Sequence, residues 1–195
     1  MAVESEKIKQ LRIMTSAGML DCKKALEETG GDIEKAAASL REKGIIKAVK
    51  KMDREANEGR LFSYVHHNGK LATLVELNCE TDFVAKNESF QELGKNIAMH
   101  IAASNPLYVD AEQVPKEDIE KEKEIQKNAL ENEGKPANVI EKILEGKINK
   151  YIGDITLLGQ SYVKEPSLTI ADLIKDNIAK LGENISVGRF TRYSI

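Results

Sequence analysis

The fold of this chain follows from residues 60–80, RLFSYVHHNGKLATLVELNCE. Apolar and polar residues alternate on both sides of Asn68-Gly69, the strongest short signal for a hairpin turn. The pattern predicts two antiparallel strands, Arg60–His67 and Lys70–Glu80. Pairing across the turn assigns the better apolar set to one face, and we expect that face to form the core: Phe62, Tyr64, Leu71, Thr73, Val75 and Leu77.

The hairpin leads into TDFVAKN, residues 81–87, and then into a predicted helix over residues 88–103. Apolar residues recur along this helix at helical spacing, so we expect it to pack on the core face of the sheet: Phe90, Leu93, Ile97 and Ile101. A large aromatic is unusual in a polar strand-to-helix connection, where function is often placed. Two interpretations stay open. Either Thr81 caps a helical turn and Phe83 enters the core, or Phe83 serves in binding.

The first 44 residues predict three short helices. Gly18 and Gly30-Gly31 separate them, and Asp32 is a suitable N-cap for the third. The apolar positions of the three helices, in chain order, are Ile8, Leu11 and Met14; Leu20, Ala25 and Leu26; and Ile33, Ala36, Ala37 and Leu40. We therefore predict a three-helix bundle over residues 1–44, followed by a charged linker over residues 45–58.

The C-terminal half predicts two further helices, residues 116–133 and 137–152, joined at Gly134-Lys135-Pro136. A capping box of Thr169 and Asp172 predicts another helix, which ends at Gly182. A third strand should span residues 184–193, with a β-bulge near Gly188 where the alternation slips. The predicted fold class is thus α+β. Residues 59–195 form a three-stranded antiparallel sheet packed with helices, from which a helical hairpin projects at residues 115–153.

Composition limits the possible functions. The 195 residues are 41% hydrophobic and 31% charged, as in globular proteins. Lys and Arg number 29 against 32 Asp and Glu, and the basic cluster of residues 43–54 is interrupted by Asp53, so we do not expect direct nucleic-acid binding. No apolar run reaches the roughly 18 residues of a membrane span, and the N-terminus lacks a signal core. We expect a cytoplasmic protein that does not bind membranes.

No catalytic constellation is present in the sequence. We find no Gly-rich phosphate loop, no Gly-x-Ser-x-Gly elbow and no metal-spaced set of His, Cys and Asp. The neighbours His66 and His67 should point to opposite faces of a strand, which argues against a shared metal. Cys22 and Cys79 lie far apart and should be reduced. We predict no enzyme activity, no cofactor and no metal, and expect the protein to act by binding.

The chain resembles bacterial elongation factor Ts, the guanine-nucleotide exchange factor of the GTPase elongation factor Tu. TDFVAKN is similar to that family's most recognisable motif, and TSAGMLDCKKAL, residues 15–26, matches near the N-terminus. Further matches are residues 76–80, 97–103 and 182–185. The likeness covers nearly the whole chain in family order. One departure is Ser16, where the family usually has glycine.

The resemblance implies that the bundle is ubiquitin-associated-like. It also implies an exchange wedge that disturbs the Mg²⁺ and phosphate site of the GTPase: Thr81, Asp82, Phe83 and Val84. The implied partner-binding residues are Met19, Leu20, Lys23, Lys86, Asn87 and His100. Longer relatives carry two core halves, and a three-stranded sheet leaves edges unpaired, so we expect a non-covalent homodimer. The alternative function is a non-catalytic interaction module that uses the bundle alone.

Overall fold

A computed structural model describes residues 5–15, 17–133 and 136–195. The five strands form a three-stranded sheet in the order β1-β2-β5 and a two-stranded sheet of β3 and β4. The strands are β1 (Glu58–Val65), β2 (Leu71–Cys79), β3 (Ser161–Tyr162), β4 (Glu165–Thr169) and β5 (Ile185–Ser194). The helices are α1 (Ser5–Thr15), α2 (Met19–Glu28), α3 (Ile33–Val49), α4 (Asp82–Ala85), α5 (Glu88–Ser104), α6 (Lys116–Asn132), α7 (Ala137–Ile155) and α8 (Ile170–Leu181). The α+β class is confirmed.

The hairpin turn has the predicted pairing. The amide of His66 donates to the carbonyl of Leu71 at 2.8 Å, and Gly69 adopts a φ of 67°, which favours glycine. The predicted core face is buried at Phe62, Thr73, Val75 and Leu77, and half-buried at Tyr64 and Leu71. The opposite face stays open, since Leu61, Val65 and Leu74 are exposed.

The expected geometry of His66 and His67 is wrong. Strand β1 ends at Val65, so the two residues follow turn geometry and their rings lie 4.2 Å apart instead of on opposite faces. The hydroxyl of Tyr64 lies 2.9 Å from Nδ1 of His66. Even so, the described residues contain no group of three or more His, Cys, Asp or Glu side chains placed to hold a metal ion.

Helix α5 packs on the core face of the sheet, as predicted. The hydroxyl of Thr73 donates to the carbonyl of Ala98 at 2.8 Å. A Cβ built on Gly94 would overlap the ring of Phe62. The helix therefore approaches the strand so closely that only glycine fits at residue 94.

The N-terminal helices α1, α2 and α3 share a small apolar core: Leu11, Cys22, Ala25, Leu26 and Ala36. The side chain of Asp32 accepts from the amide of Lys35 at 3.0 Å and caps α3, as predicted. Met14 differs from its prediction. It is exposed, because a helix of this bundle buries only one narrow side. Ser16 and Gly134-Lys135 lie outside the described residues.

Helix α3 continues past residue 44, and its second half contacts α8. Arg41 pairs with Asp176 at 3.0 Å, and the Cβ of Ala179 approaches Gly44. The structure divides into two compact units. The first comprises Met1–Arg60, Leu77–Leu93 and Ile174–Ser186, and the second comprises Leu61–Glu76, Gly94–Leu173 and Val187–Ile195. The division at residues 44 and 58 stays a prediction.

In the second unit, α6 and α7 form the predicted helical hairpin. Leu130 on α6 and Ile140 and Ile148 on α7 are buried. The ammonium of Lys147 donates to the side-chain oxygen of Gln126 at 2.9 Å and joins the two helices. The pair β3 and β4 was not predicted, since two and five residues are too short to show a clear alternation.

The predicted capping box begins α8. The hydroxyl of Thr169 donates to the carboxylate of Asp172 at 2.7 Å, and the amide of Asp172 donates to the hydroxyl of Thr169 at 3.1 Å. The helix stops before Gly182, whose φ is 82°. Along β5, burial shifts phase between Val187 and Phe190, as the pattern predicts, while the bulge near Gly188 stays a prediction.

Candidate functional site

The motif TDFVAKN forms a four-residue helix, α4, with an exposed aromatic on it. Thr81 is the N-cap: its hydroxyl accepts from the amide of Val84 at 3.4 Å, and its carbonyl accepts from the amide of Ala85 at 3.2 Å. Phe83 is 81% exposed, whereas Ala85 is buried. The first interpretation from the sequence is therefore right about Thr81 and wrong about Phe83, and the second, that Phe83 serves in binding, stays a prediction. Thr81 does cap a helical turn, but Phe83 does not enter the core.

Asp82 and Lys86 form an ion pair across α4. The ammonium of Lys86 lies 2.7 Å from the carboxylate of Asp82, one helical turn away. This hydrogen bond and the charge of Lys86 lower the pKa of the Asp82 carboxyl, so the group is anionic at neutral pH. Asn87 follows and caps α5, since its side-chain oxygen accepts from the amide of Ser89 at 2.9 Å. The exposed face of the motif thus presents an apolar ring beside a carboxylate and an ammonium.

A carboxylate that the sequence analysis did not select holds the start of the motif. Glu183 accepts from the amide of Thr81 at 2.9 Å and from its hydroxyl at 2.7 Å, one bond to each oxygen. The two residues are 102 positions apart, so no spacing in the sequence could have paired them. The sequence pointed to Glu183 only through the resemblance of residues 182–185 to the family, and that resemblance assigns no role to this residue.

A second set of hydrogen bonds joins the same two segments, residues 80–81 and 183–184. The amide of Asn184 donates to the carboxylate of Glu80 at 2.6 Å, which is the reverse of the bond from Thr81 to Glu183. The side chain of Asn184, 5% exposed, donates to the carbonyls of Met52 and Arg54 at 3.0 and 2.6 Å. Each of the segments 80–81 and 183–184 therefore donates a backbone amide to a carboxylate of the other.

The bundle residues suggested by the resemblance lie on the surface of α2. Met19 is 54% exposed and Leu20 is 74% exposed. The ammonium of Lys23 lies 3.9 Å from Glu27 on the same helix, an exposed pair of little energetic weight. These residues belong to the same compact unit as residues 81–87. Two exposed apolar sites, one on α2 and one on α4, are thus carried by one unit.

His100 does not lie on the surface. It is fully buried on α5, with Nε2 at 3.0 Å from the side-chain oxygen of Gln160. The amide of Val163 donates to Nδ1 at 3.3 Å, so that nitrogen carries no proton. Burial lowers the pKa of the imidazole, although the bond to Gln160 acts in the opposite direction. The buried ring of His100 therefore makes internal hydrogen bonds and exposes no surface to a partner.

An α+β scaffold that presents an exposed aromatic on a strand-to-helix connection, together with a small helical module, is the kind of arrangement with which proteins bind other proteins. The family model for elongation factor Ts matches residues 2–195. The chain is 59% identical over 195 residues to elongation factor Ts of Leptospira biflexa, covering 100% of this chain and 98% of the relative. It is 54% identical to elongation factor Ts of Fervidobacterium nodosum, covering 100% and 99%. The chain belongs to the elongation factor Ts family.

Membership of this family makes the protein a translation elongation factor and not an enzyme that catalyses a chemical reaction. Within the described part of the chain, no helix is long and apolar enough to cross a membrane.

Proposed function

We propose that this protein binds elongation factor Tu carrying GDP in the cytoplasm and promotes release of the GDP. The exposed ring of Phe83 is the observation that carries the proposal, because a ring that is 81% exposed on a fixed helical turn is available for insertion into a partner. Thr81, Asp82, Phe83 and Val84 form the wedge. The wedge acts near the Mg²⁺ and phosphate site of the GTPase, where the Asp82 carboxylate competes for the donors that order that site.

Coupling between the two ligands sets the energetics of this mechanism. The exchange factor and GDP must weaken each other's binding to the GTPase by the same factor. Release that is about a thousandfold faster requires a barrier lower by about 4 kcal/mol. Burying one Phe ring supplies only about 1.5–3 kcal/mol. Further contacts must therefore hold the wedge in place on the partner.

We assign those further contacts to Met19, Leu20 and Lys23 on α2, and to Lys86 and Asn87 beside the wedge. Met19 and Leu20 offer apolar surface that is already exposed in the free protein. Truncating them should weaken association without removing the wedge. The alternative, a non-catalytic interaction module, would use the same bundle surface. It does not explain why the exposed Phe83 lies on a connection that is held in place by hydrogen bonds.

The test follows release of a fluorescent GDP from elongation factor Tu at increasing concentrations of this protein. Wild type should accelerate release and reach a plateau. Phe83→Ala should lower the plateau rate by about tenfold or more, because the ring acts on the bound complex. Met19→Ala with Leu20→Ala should instead raise the half-saturating concentration. No acceleration by folded wild-type protein would reject the exchange function and leave the interaction module.

Direct nucleic-acid binding finds no support in the basic cluster of residues 43–54. Lys43 pairs with Glu28 at 2.6 Å, Lys47 with Asp21 at 3.5 Å and Arg54 with Glu80 at 3.5 Å. Cations that already pair with carboxylates have less charge available to neutralise phosphates and so to release the counterions of a nucleic acid.

We also propose that the protein forms a non-covalent homodimer through the open face and edges of its sheet. In the order β1-β2-β5, the strands β1 and β5 are edges. Leu61 and Val65 on the open face are 63% and 65% exposed. Both Cys22 and Cys79 are buried and unpaired, so neither is placed to form a disulfide between copies.

A further inference from the structure

We propose that Glu183 is a positioning residue for the exchange wedge: its carboxylate fixes Thr81 and thereby the direction in which Phe83 points. This inference rests on the proposed exchange function for its kinetic consequence. Its structural consequence, the order of the Phe83 side chain in the free protein, can be measured whether or not that function holds.

Helix α4 is too short to fix its own orientation. A helix of four residues has too few internal hydrogen bonds to be stable in water, since forming the first turn is itself unfavourable. Its orientation must therefore come from contacts outside the helix. Phe83 supplies none of these, because it is 81% exposed. The buried Ala85 supplies an apolar contact, and the N-cap, Thr81, supplies the hydrogen bonds that reach a distant part of the unit.

Every polar atom of Thr81 is engaged. Its amide and hydroxyl each donate to one oxygen of Glu183, at 2.9 and 2.7 Å. Its carbonyl lies 3.1 Å from the thiol of Cys79, and that thiol is buried, which raises its pKa and keeps its proton available for donation. Two bonds from one carboxylate define both position and rotation, whereas one bond would leave rotation free. Glu183 thus fixes how the N-cap enters the helix.

The chain segment that carries this carboxylate is itself held by hydrogen bonds. The neighbouring Asn184 is bound to Glu80, to Met52 and to Arg54, and Gly182 accepts from the ammonium of Lys51. Glu183 therefore lies on a chain segment with fixed neighbours before and after it. A supporting residue that is itself held in place keeps a functional side chain in its productive geometry. We expect loss of Glu183 to disorder the wedge more than it destabilises the fold.

The chain contains no tryptophan, so Phe83→Trp places a single indole at the tip of the wedge. In that background we would measure the fluorescence anisotropy of the free protein with and without Glu183→Ala. We expect the indole to lose anisotropy in the Glu183→Ala variant, because Thr81 no longer fixes the helical turn. Glu183→Gln keeps one acceptor oxygen and should restore part of the anisotropy.

Glu76→Gln is the matched control. It removes a carboxylate from β2 that pairs with Arg189 at 3.0 Å and belongs to the second compact unit, whereas Thr81 belongs to the first. It should leave the anisotropy at residue 83 unchanged. Far-UV circular dichroism of each variant, with urea unfolding, ensures that only folded protein is compared.

The kinetic arm uses the GDP-release assay with wild-type Phe83. Glu183→Ala should lower the plateau rate by about tenfold while changing the half-saturating concentration by less than about threefold. A purely structural role would lower stability but leave both the anisotropy and the plateau rate of folded protein unchanged, and that result would overturn the proposal. If wild type itself fails to accelerate release, the exchange function fails, and the anisotropy alone decides whether Glu183 orders the wedge.

Discussion

At the scale of single residues, two phenylalanines only seven positions apart have opposite surroundings. Phe83 on α4 is 81% exposed, and Phe90 on α5 is fully buried. The ring of Phe83 contributes little to folding because it is already in water in the native state. Packing does not account for the exposed position of this ring, and the proposed binding role does.

We expect Phe83→Ala to change the free energy of unfolding by less than about 0.5 kcal/mol. Phe90→Ala, its matched control, should cost about 3–5 kcal/mol, because it removes a buried ring and leaves a cavity. Urea unfolding followed by circular dichroism measures both. A loss of several kcal/mol for Phe83→Ala would place that ring in the core and contradict the wedge.

His100 gives a prediction for the dependence of stability on pH. Burial lowers its pKa below the ordinary 6.5, so between the two values the unfolded chain binds more protons than the native protein. Stability should therefore fall as pH drops from above 6.5 towards the lowered pKa. His100→Gln removes this titration, and its urea midpoint should decline less than that of wild type between pH 7.5 and 5.5. Equal slopes would show that His100 does not contribute.

At the scale of helices and strands, the contact of α5 with β1 depends on one glycine. The apolar spacing of residues 88–103 predicts the helix and the sheet face it covers, since that spacing shows which side is buried. It could not predict how close the two elements come. Gly94 is where α5 meets Phe62, and a Cβ there would overlap the ring.

Gly94→Ala should destabilise the protein by about 1–3 kcal/mol, because the ring of Phe62 must move. Gly146→Ala is the matched control: Gly146 lies in α7 with open space where a Cβ would be, so this change should stabilise by about 0.5–1 kcal/mol. Thermal unfolding of the two variants compares them directly. A Gly94→Ala variant as stable as wild type would show that Phe62 has room to move.

At the scale of the whole molecule, the open face of the sheet bears on assembly. Leu61, Val65 and Leu74 are exposed on the face opposite the core. Two copies of this face could pair about a two-fold axis, because the same residues would then meet in both copies.

Light scattering after size exclusion should give twice 21.6 kDa for wild type, with or without reductant. Leu61→Lys should shift the protein towards the monomer. Leu107→Lys should not, although Leu107 is 60% exposed, because it lies outside the sheet. A mass of 21.6 kDa at every concentration would reject the dimer, and dissociation only on reduction would reject a non-covalent interface.

Local pattern in the chain was enough for the α+β class, the hairpin at Asn68-Gly69, the core face of the sheet and the caps at Asp32 and Thr169. These features depend on residues that are close in sequence, and the physics of turns, caps and periodicity acts over that range. The motif of residues 81–87 was recognisable from an aromatic in a polar connection and from its resemblance to a known family. The place of Glu183 against Thr81, the burial of His100 and the near contact of Gly94 with Phe62 became visible only in the folded molecule. Each of these features depends on contacts between segments that are far apart in sequence, and the spacing of residues within one segment does not report such contacts.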